Sequence, residues 1–320
     1  MKAVVISEPG GYEVLNYREM PDPQPRPGQV LITVKAAGVN RSDIYSRTGA
    51  YGDFLGPEIP GLEVAGIVRE CGPEAHRWKK GDRVVALLAG GGYAQQACVD
   101  ERICLPMPES LSFEEGAALP EAIFTVWFNV FKQARLRSGE IFLVHGGSSG
   151  IGVIAIQMSV ALGSAAFATA GTEEKCRFCR SLGAIKAVNY KKEDFETALK
   201  DEHIDVILDM VGGDYTQKNL RILDPGGRLC LINAMQGMRS QILISEIMRK
   251  NLIITGSMLK PQSTDVKASL CEQIRNSIWP LVNSGKIRPI VHRVFSLAEA
   301  AEAQRLMESG DHMGKIILQP

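Results

Sequence analysis

The sequence predicts a two-domain α/β protein in which a β-rich, barrel-like domain is interrupted by a doubly wound parallel-sheet domain. Three observations predict it. Roughly the first hundred residues are short apolar or alternating runs broken by Pro and Gly, and from about Pro120 strands alternate with helices. The residues after about Lys260 form a strand, helix and strand too small to enclose a core of their own, so they return to the first domain. A chain of 320 residues also exceeds what one ordinary core holds.

In chain order, KAVVI, QVLITVKAAGV, VAGIVREC, DRVVALLA and YAQQACV read as strands, with turns such as PDPQPRPGQ between them. Six strand candidates follow, most of them leading into a helix: IFLVHGG, AAFATAG, AVNY, DVILDMVGG, RLCLIN and NLIITGS. A helix through SLCEQIRNSIWPLV then leads to IRPIVHRVF, to the helix SLAEAAEAQRLMESG and to GKIILQP. Ser296 and Glu299 have capping-box spacing for that helix, and Gly310 stands where a C-terminal glycine belongs. The expected boundaries are 1–120 plus 262–320 for the β-rich domain and 121–261 for the insertion.

Composition narrows the function classes. Lys+Arg and Asp+Glu are both 36, so the net charge is zero, and neither sign gathers into a block that would hold nucleic acid or an anionic membrane. No apolar span reaches membrane-crossing length, and the amino-terminal apolar run is too short for a secretory leader. Seven cysteines without a spacing framework suit reduced thiols in the cytoplasm. Cys176 and Cys179 form a C-x-x-C pair inside a helical stretch, with no second Cys or His pair beside it, and read as ordinary helix residues.

The sharpest chemistry lies in IFLVHGGSSGIGVIAIQMSVALG, where an apolar strand runs through small residues into a helix. Such a turn lets backbone N–H groups and the positive end of the helix meet a pyrophosphate. The register Gly147-x-Ser149-x-x-Gly152 places Ser149 at the middle glycine of G-x-G-x-x-G, and Gly147, Ser148, Ser149, Gly150, Ile151 and Gly152 are the candidate dinucleotide-binding residues. In ATAGTEEK, Ala170 and Gly171 stand where a carboxylate would accept from the ribose of NADH, while Thr172 and Lys175 suit a 2′-phosphate, so NADPH is expected. Glu173 and Glu174 run against this, yet acids also favour the first turn of a helix.

AAGVNRSDIYSRTGAY, PGLEVAGIV, GDRVVALLAGGGYAQ, ALPEAIFTVW, HGGSSGIGVIAIQ, AGTEEK, NYKKEDF, ILDMVGG and MGKIILQP together resemble the quinone oxidoreductase branch of the medium-chain dehydrogenases, and the likeness covers nearly the whole chain. The resemblance implies a GroES-like β-barrel domain with an inserted Rossmann dinucleotide-binding domain, and hydride or electron transfer from NADPH to a small quinone in the cleft between them. It places Asn40, Thr125, Ser257, Met258 and Leu259 around the nicotinamide, and Gly171, Thr172, Lys175 and Tyr190 around the adenosine phosphate. Gly212 and Met235 are implied beside the cofactor, and Asp43, Tyr45 and Tyr51 near the acceptor. Asn40 and Asp43 could equally cap the turn that follows, and Tyr45 and Tyr51 could be packing residues. His145 and Asp209 read as structural strand-end residues.

The same resemblance implies zinc independence, because Asn40 and Leu62 occupy the places of a zinc-binding Cys and His in alcohol dehydrogenase relatives, and no four-cysteine lobe stands between Val84 and Val99. It also implies a homodimer in which the apolar NLIITGS strand pairs at a sheet edge. Two alternatives stay open at this point: reduction of the double bond of 2-alkenals or enoyl thioesters, and a non-enzymatic NADPH-binding sensor or structural protein.

Overall fold

The computed structural model of the chain describes residues 1–50, 52, 56 and 58–320. The strands are β1 (Lys2–Ile6), β2 (Leu15–Glu19), β3 (Gln29–Val39), β4 (Glu63–Cys71), β5 (Arg83–Leu87), β6 (Gln96–Asp100) and β7 (Cys104–Pro106), then β8 (Ile141–Val144), β9 (Ala165–Ala170), β10 (Ala184–Asn189), β11 (Val206–Asp209), β12 (Arg228–Leu231) and β13 (Ile253–Gly256), and finally β14 (Val291–Ser296) and β15 (Lys315–Gln319). The chain divides into two compact units. One comprises Met1–Glu121, Lys260–Asn283 and Pro289–Pro320, and the other Ala122–Leu259 with Ser284–Arg288.

The first unit is the β-rich GroES-like domain. Its main sheet runs β14-β15-β3-β4-β5-β7, with β6 also paired to β3, and β1 and β2 form a separate antiparallel pair. The carboxyl-terminal strand completes this sheet: β15 lies antiparallel to β3, with Ile316 opposite Val39 and Ile317 opposite Gly38. That pairing is what the small tail needed in order to bury its apolar residues. Because β14 and β15 are parallel, they require a crossover, and the helix Ala300–Ser309 supplies it. Ser296 and Glu299 form the capping box ahead of that helix, and Gly310 ends it at φ +72°.

Among the helices here not read from the sequence is the one that carries Asp43. Arg41–Thr48 is helical because Asp43 at its third position accepts from the Asn40 N–H at 2.8 Å, and Gly49 terminates it at φ +65°. Its Arg47 is buried, bonded to Gln304 and Glu308 and stacked on Tyr12. A partnered arginine at that position lets a polar segment pack inward.

The second unit is a six-stranded, all-parallel sheet in the order β10-β9-β8-β11-β12-β13. Its strands read as continuous apolar runs, as a sheet with both faces covered requires. Leu143, Phe167, Ile207 and Leu229 come from four adjacent strands and pack with Phe195, Leu199 and Leu220. The order reverses between β8 and β11, the switch point at which doubly wound sheets hold ligands beyond the strand ends. At the sheet's end Ile253 of β13 is 55% exposed, and the neighbouring helix Ile244–Lys250 buries none of its residues. Among the described residues, no helix is long and apolar enough to cross a membrane.

Candidate active site

The turn after β8 is built on close backbone approach. Gly146 takes φ +68°, and a Cβ added at Gly152 would lie 2.3 Å from the Gly146 carbonyl oxygen and 2.6 Å from Gly147 Cα. One at Gly147 would lie 2.6 Å from the Ala168 Cβ, so both positions require glycine for strand, turn and helix to pack. Ser149 caps the helix Gly150–Ala161, its hydroxyl accepting from the Gly152 N–H at 3.1 Å. That explains a serine in place of the middle glycine. The N–H groups of Gly150 and Ile151 lie in the first turn, where a helix has no acceptor of its own to offer.

At the end of β9, Thr172 caps the helix Glu173–Ser181 by accepting from the Lys175 N–H at 3.1 Å. Gly171 meets Tyr190, since a Cβ there would lie 2.8 Å from the tyrosine oxygen and 3.6 Å from Lys191 Cε. Glu173 is turned elsewhere. Its carboxylate accepts from Asn189 Nδ2 at 3.0 Å and pairs with Lys192 at 3.5 Å, which holds its pKa below the usual carboxylate range. One of the two acids that argued against a 2′-phosphate is thus engaged at the end of β10.

Two buried polar chains hold the remaining turns. His145 Nδ1 lies 3.0 Å from Thr169 Oγ1, and Nε2 lies 2.7 Å from Asn219 Oδ1, while Asn219 Nδ2 donates to Asp209 at 3.0 Å. Since the amide nitrogen of Asn219 faces Asp209, its oxygen faces His145, so Nε2 carries the imidazole proton. Burial pulls the His145 pKa down and keeps it neutral. The other oxygen of Asp209 accepts from the Val211 and Gly212 N–H groups and fixes the turn of Gly212 and Gly213, both at positive φ. In the second chain Asn129 Oδ1 accepts from the Ser257 hydroxyl at 2.8 Å, and its Nδ2 donates to the Thr125 carbonyl at 2.9 Å. Asn129 sits in the π-helix Trp127–Gln133, whose wide turn carries the hydrogen bond from the Ala134 N–H to the Asn129 carbonyl. Thr125 and Leu259 are buried, whereas Met235 and Met258 are about half exposed.

In the first unit, Asn40 belongs to a buried charged cluster. Lys315 Nζ donates to Asn40 Oδ1 at 2.7 Å and pairs with Glu63. Glu63 Oε1 also accepts from Asn40 Nδ2 at 2.8 Å, and its Oε2 accepts from the Glu121 backbone N–H at 2.8 Å. Asn40 therefore has its carboxamide fixed in one orientation. Asp43 accepts from Asn40 N–H, from the Tyr93 hydroxyl at 2.9 Å and from the Gly61 N–H at 3.2 Å. Burial pushes the Asp43 carboxyl up to about 6, and those hydrogen bonds hold it from rising further. Its lone pairs are spent on structure.

Glu121 carries the larger shift. Burial first, and the neighbouring Glu63 second, push its carboxyl from 4.5 up to about 8 against the pull of Lys315. Its place in the first turn of the helix Pro120–Val126 favours the anion by about 2 kcal/mol at most, roughly one and a half pKa units, so burial still wins.

A catalytic zinc does not fit at Asn40 and Leu62. An ammonium already occupies the lone pair that Asn40 would offer, and Leu62, buried, has no ligand atom. Among the described residues, no group of three or more His, Cys, Asp or Glu side chains is placed to hold a metal ion. Tyr45 is half-buried on the helix Arg41–Thr48, and Tyr51 lies outside the described residues.

Glu63, Lys315, Glu121 and Asn129 were not singled out from the sequence. The available signal was a lone charge in each of two apolar strands, EVAGIV and KIIL, since such a charge is buried only with a partner. Nothing local indicated that the two charges would be partners.

Comparison with known proteins follows the same lines. The family model "Alcohol dehydrogenase GroES-like domain" matches residues 26–109, and "Zinc-binding dehydrogenase" matches 182–318. The rat quinone oxidoreductase is 34% identical over 328 residues, covering 99% of this chain and 97% of that one. The crystal structure of Escherichia coli quinone oxidoreductase complexed with NADPH superimposes with a TM-score of 0.91 at 28% identity, and an NAD-dependent alcohol dehydrogenase with 0.90 at 31%, each with both chains fully covered. The chain is an oxidoreductase and belongs to the medium-chain dehydrogenase/reductase family, among its quinone oxidoreductases.

Proposed function

We propose that the protein is a zinc-independent, NADPH-dependent quinone reductase. The observation that supports the reading is the commitment of Asn40 to Lys315 and Glu63, with Leu62 beside it, which leaves neither of these two positions a metal ligand to polarise a substrate carbonyl. Acceleration must then come from positioning and from protein groups, which suits an electron-poor acceptor such as a quinone. Bound NADPH supplies a hydride from C4 of its nicotinamide.

For the cofactor, the turn of residues 147–152 would take the pyrophosphate, with the Gly150 and Ile151 N–H groups pointing at it. Thr125, Asn129 and Ser257 would hold the nicotinamide end. The 2′-phosphate would lie at Gly171, Thr172, Lys175 and Tyr190, where Lys191 adds a second cation and Glu173 is turned away. That arrangement supports NADPH over NADH. Tyr45 remains on the acceptor side, Asn40 would face the nicotinamide, and Asp43 serves as a brace for Asn40, whose N–H it accepts from. The exposed edge of β13 and the uncovered helix Ile244–Lys250 suit a second copy of the chain. Seven free thiols suit the cytoplasm.

The test is NADPH oxidation with quinones, 2-alkenals and enoyl thioesters compared side by side. Quinones should react fastest, and Tyr51→Phe should keep most of that activity. A clear preference for alkenals or thioesters would move the assignment to double-bond reduction, and no turnover with any acceptor would leave a binding protein.

A further inference from the structure

We infer, on the cofactor placement proposed above, that His145 is a positioning residue for the nucleotide: its imidazole locks the phosphate turn of residues 147–152 to the turn of Gly212 and Gly213.

The strand order puts β8 between β9 and β11, and His145 follows β8 directly, its backbone N–H donating to the Leu208 carbonyl at 3.1 Å. The side chain is fully buried. Phe195 and Tyr215 pack edge-on against the ring, with centroids 4.7 and 5.0 Å away, so the imidazole is confined by packing as well as by hydrogen bonds. From the middle of the sheet, one side chain reaches what hangs on both neighbouring strands.

On the β9 side, Nδ1 accepts from the Thr169 hydroxyl at 3.0 Å, while the Thr169 carbonyl accepts from the Gly147 N–H at 2.9 Å. Thr169 therefore holds the phosphate turn with its backbone and His145 with its side chain. On the β11 side, Nε2 donates to Asn219 at 2.7 Å, and Asn219 donates to one oxygen of Asp209 at 3.0 Å. The other Asp209 oxygen accepts from the Val211 and Gly212 N–H groups at 2.6 and 3.2 Å. This turn in its own right carries the segment of Met235. The Val211 carbonyl accepts from the Gln236 N–H at 2.8 Å, and the Gly213 N–H donates to the Gly237 carbonyl at 3.1 Å.

A neutral imidazole has one donor and one acceptor, and both are spent here, one toward each turn. Removing the ring's polar atoms leaves Thr169 and Asn219 without that partner, and the two turns lose their common reference. A binding site needs its backbone held to within about 0.5 Å by side chains that are themselves locked, and His145 meets that condition for both turns at once.

His145→Leu fills similar space without a donor or acceptor, and His145→Gln restores a donor toward Asn219. Thermal melts check that both fold. In fluorescence titrations, His145→Leu should bind NADPH and NADH about 10–100-fold more weakly than wild type, by similar factors, because the phosphate turn serves both nucleotides. His145→Gln should recover most of that loss. In turnover, the loss should fall on the KM for NADPH and not on that for the quinone. Without any nucleotide, amide hydrogen exchange at Val211 and Gly212 should be at least about tenfold faster in His145→Leu, although the change is made at the end of β8. Thr169→Val keeps the side-chain shape and breaks the chain from β9; it should weaken both nucleotides by about 5–10-fold, and it carries the test if His145→Leu does not fold. A His145→Leu protein that binds NADPH within about twofold of wild type overturns the positioning role. So does a loss that His145→Gln fails to relieve while exchange at Val211 and Gly212 stays at the wild-type rate, since the ring would then only fill space. Wild type that binds neither nucleotide overturns the cofactor placement and the positioning role together. Wild type that binds NADPH but reduces no quinone overturns the reductase reading and leaves the positioning role standing.

Discussion

Replacing Lys315 by Met tests the cluster around Glu63 most directly. Lys315 and Glu63 are 5% and 0% exposed at their side chains, so the pair is fully withdrawn from water. Removing the ammonium leaves Glu63 with only the Asn40 and Glu121 N–H donors, and leaves Asn40 Oδ1 without the Lys315 donor. Breaking a buried pair from one side costs about 3–5 kcal/mol, roughly a fifth or more of the stability of a typical domain. At roughly 2–4 °C per kcal/mol for a unit of this size, the melting temperature should drop by about 6–20 °C. The control is the double variant Lys315→Met with Glu63→Gln. The amide oxygen keeps an acceptor for the Glu121 N–H, its NH2 donates to Asn40 Oδ1 once the Asn40 amide turns over, and neither charge of the pair is left buried. The double variant should recover most of the loss and finish within about 1–2 kcal/mol of wild type. Urea unfolding and thermal melts at neutral pH measure both. A single variant that costs under about 1 kcal/mol, or a double variant no more stable than the single, would refute the reasoning.

Gly152→Ala places a Cβ 2.3 Å from the Gly146 carbonyl, so the turn must shift; a loss of about 1–3 kcal/mol and at least tenfold weaker NADPH binding should show in a melt and a cofactor titration, and unchanged binding would argue against the phosphate turn. Lys175→Ala should weaken NADPH by roughly 10–100-fold and leave NADH within about twofold, an equal loss for both removing Lys175 from the phosphate site. Light scattering should show a dimer for wild type and a monomer for Ile253→Lys with a similar melt, since Ile253 is 55% exposed; a monomeric wild type defeats the edge-pairing idea. Glu121 is protonated in the folded chain up to about pH 8 and in the unfolded chain only to about 4.5, so folding binds a proton in that window and the group's contribution to stability is lost as pH rises through it. Glu121→Gln should gain on wild type steadily between about pH 5 and 8 in urea titrations and level off above, and a pH-independent difference would show that Glu121 does not titrate as described.

The sequence by itself determined the features that live in short windows. The six strands and their alternating helices were legible because each carries its own apolar run and turn residues, and the phosphate turn because three small residues at fixed spacing are a local steric demand. The returning tail was legible because GKIILQP is apolar beyond anything its own neighbours could bury. What only the tertiary structure decided were pairings across the chain. The helix Arg41–Thr48 is held partly by Arg47 reaching Gln304 and Glu308, more than 250 residues away. The charges of Glu63 and Lys315 meet because β15 lies against β3, and β3 against β4. Glu121, an unremarked acid at the start of a helix, becomes a neutral one because that pairing buries it beside a second carboxylate. A residue's proton affinity depends on the dielectric and charge around it, and those are properties of what packs against it rather than of the residues next to it in the chain.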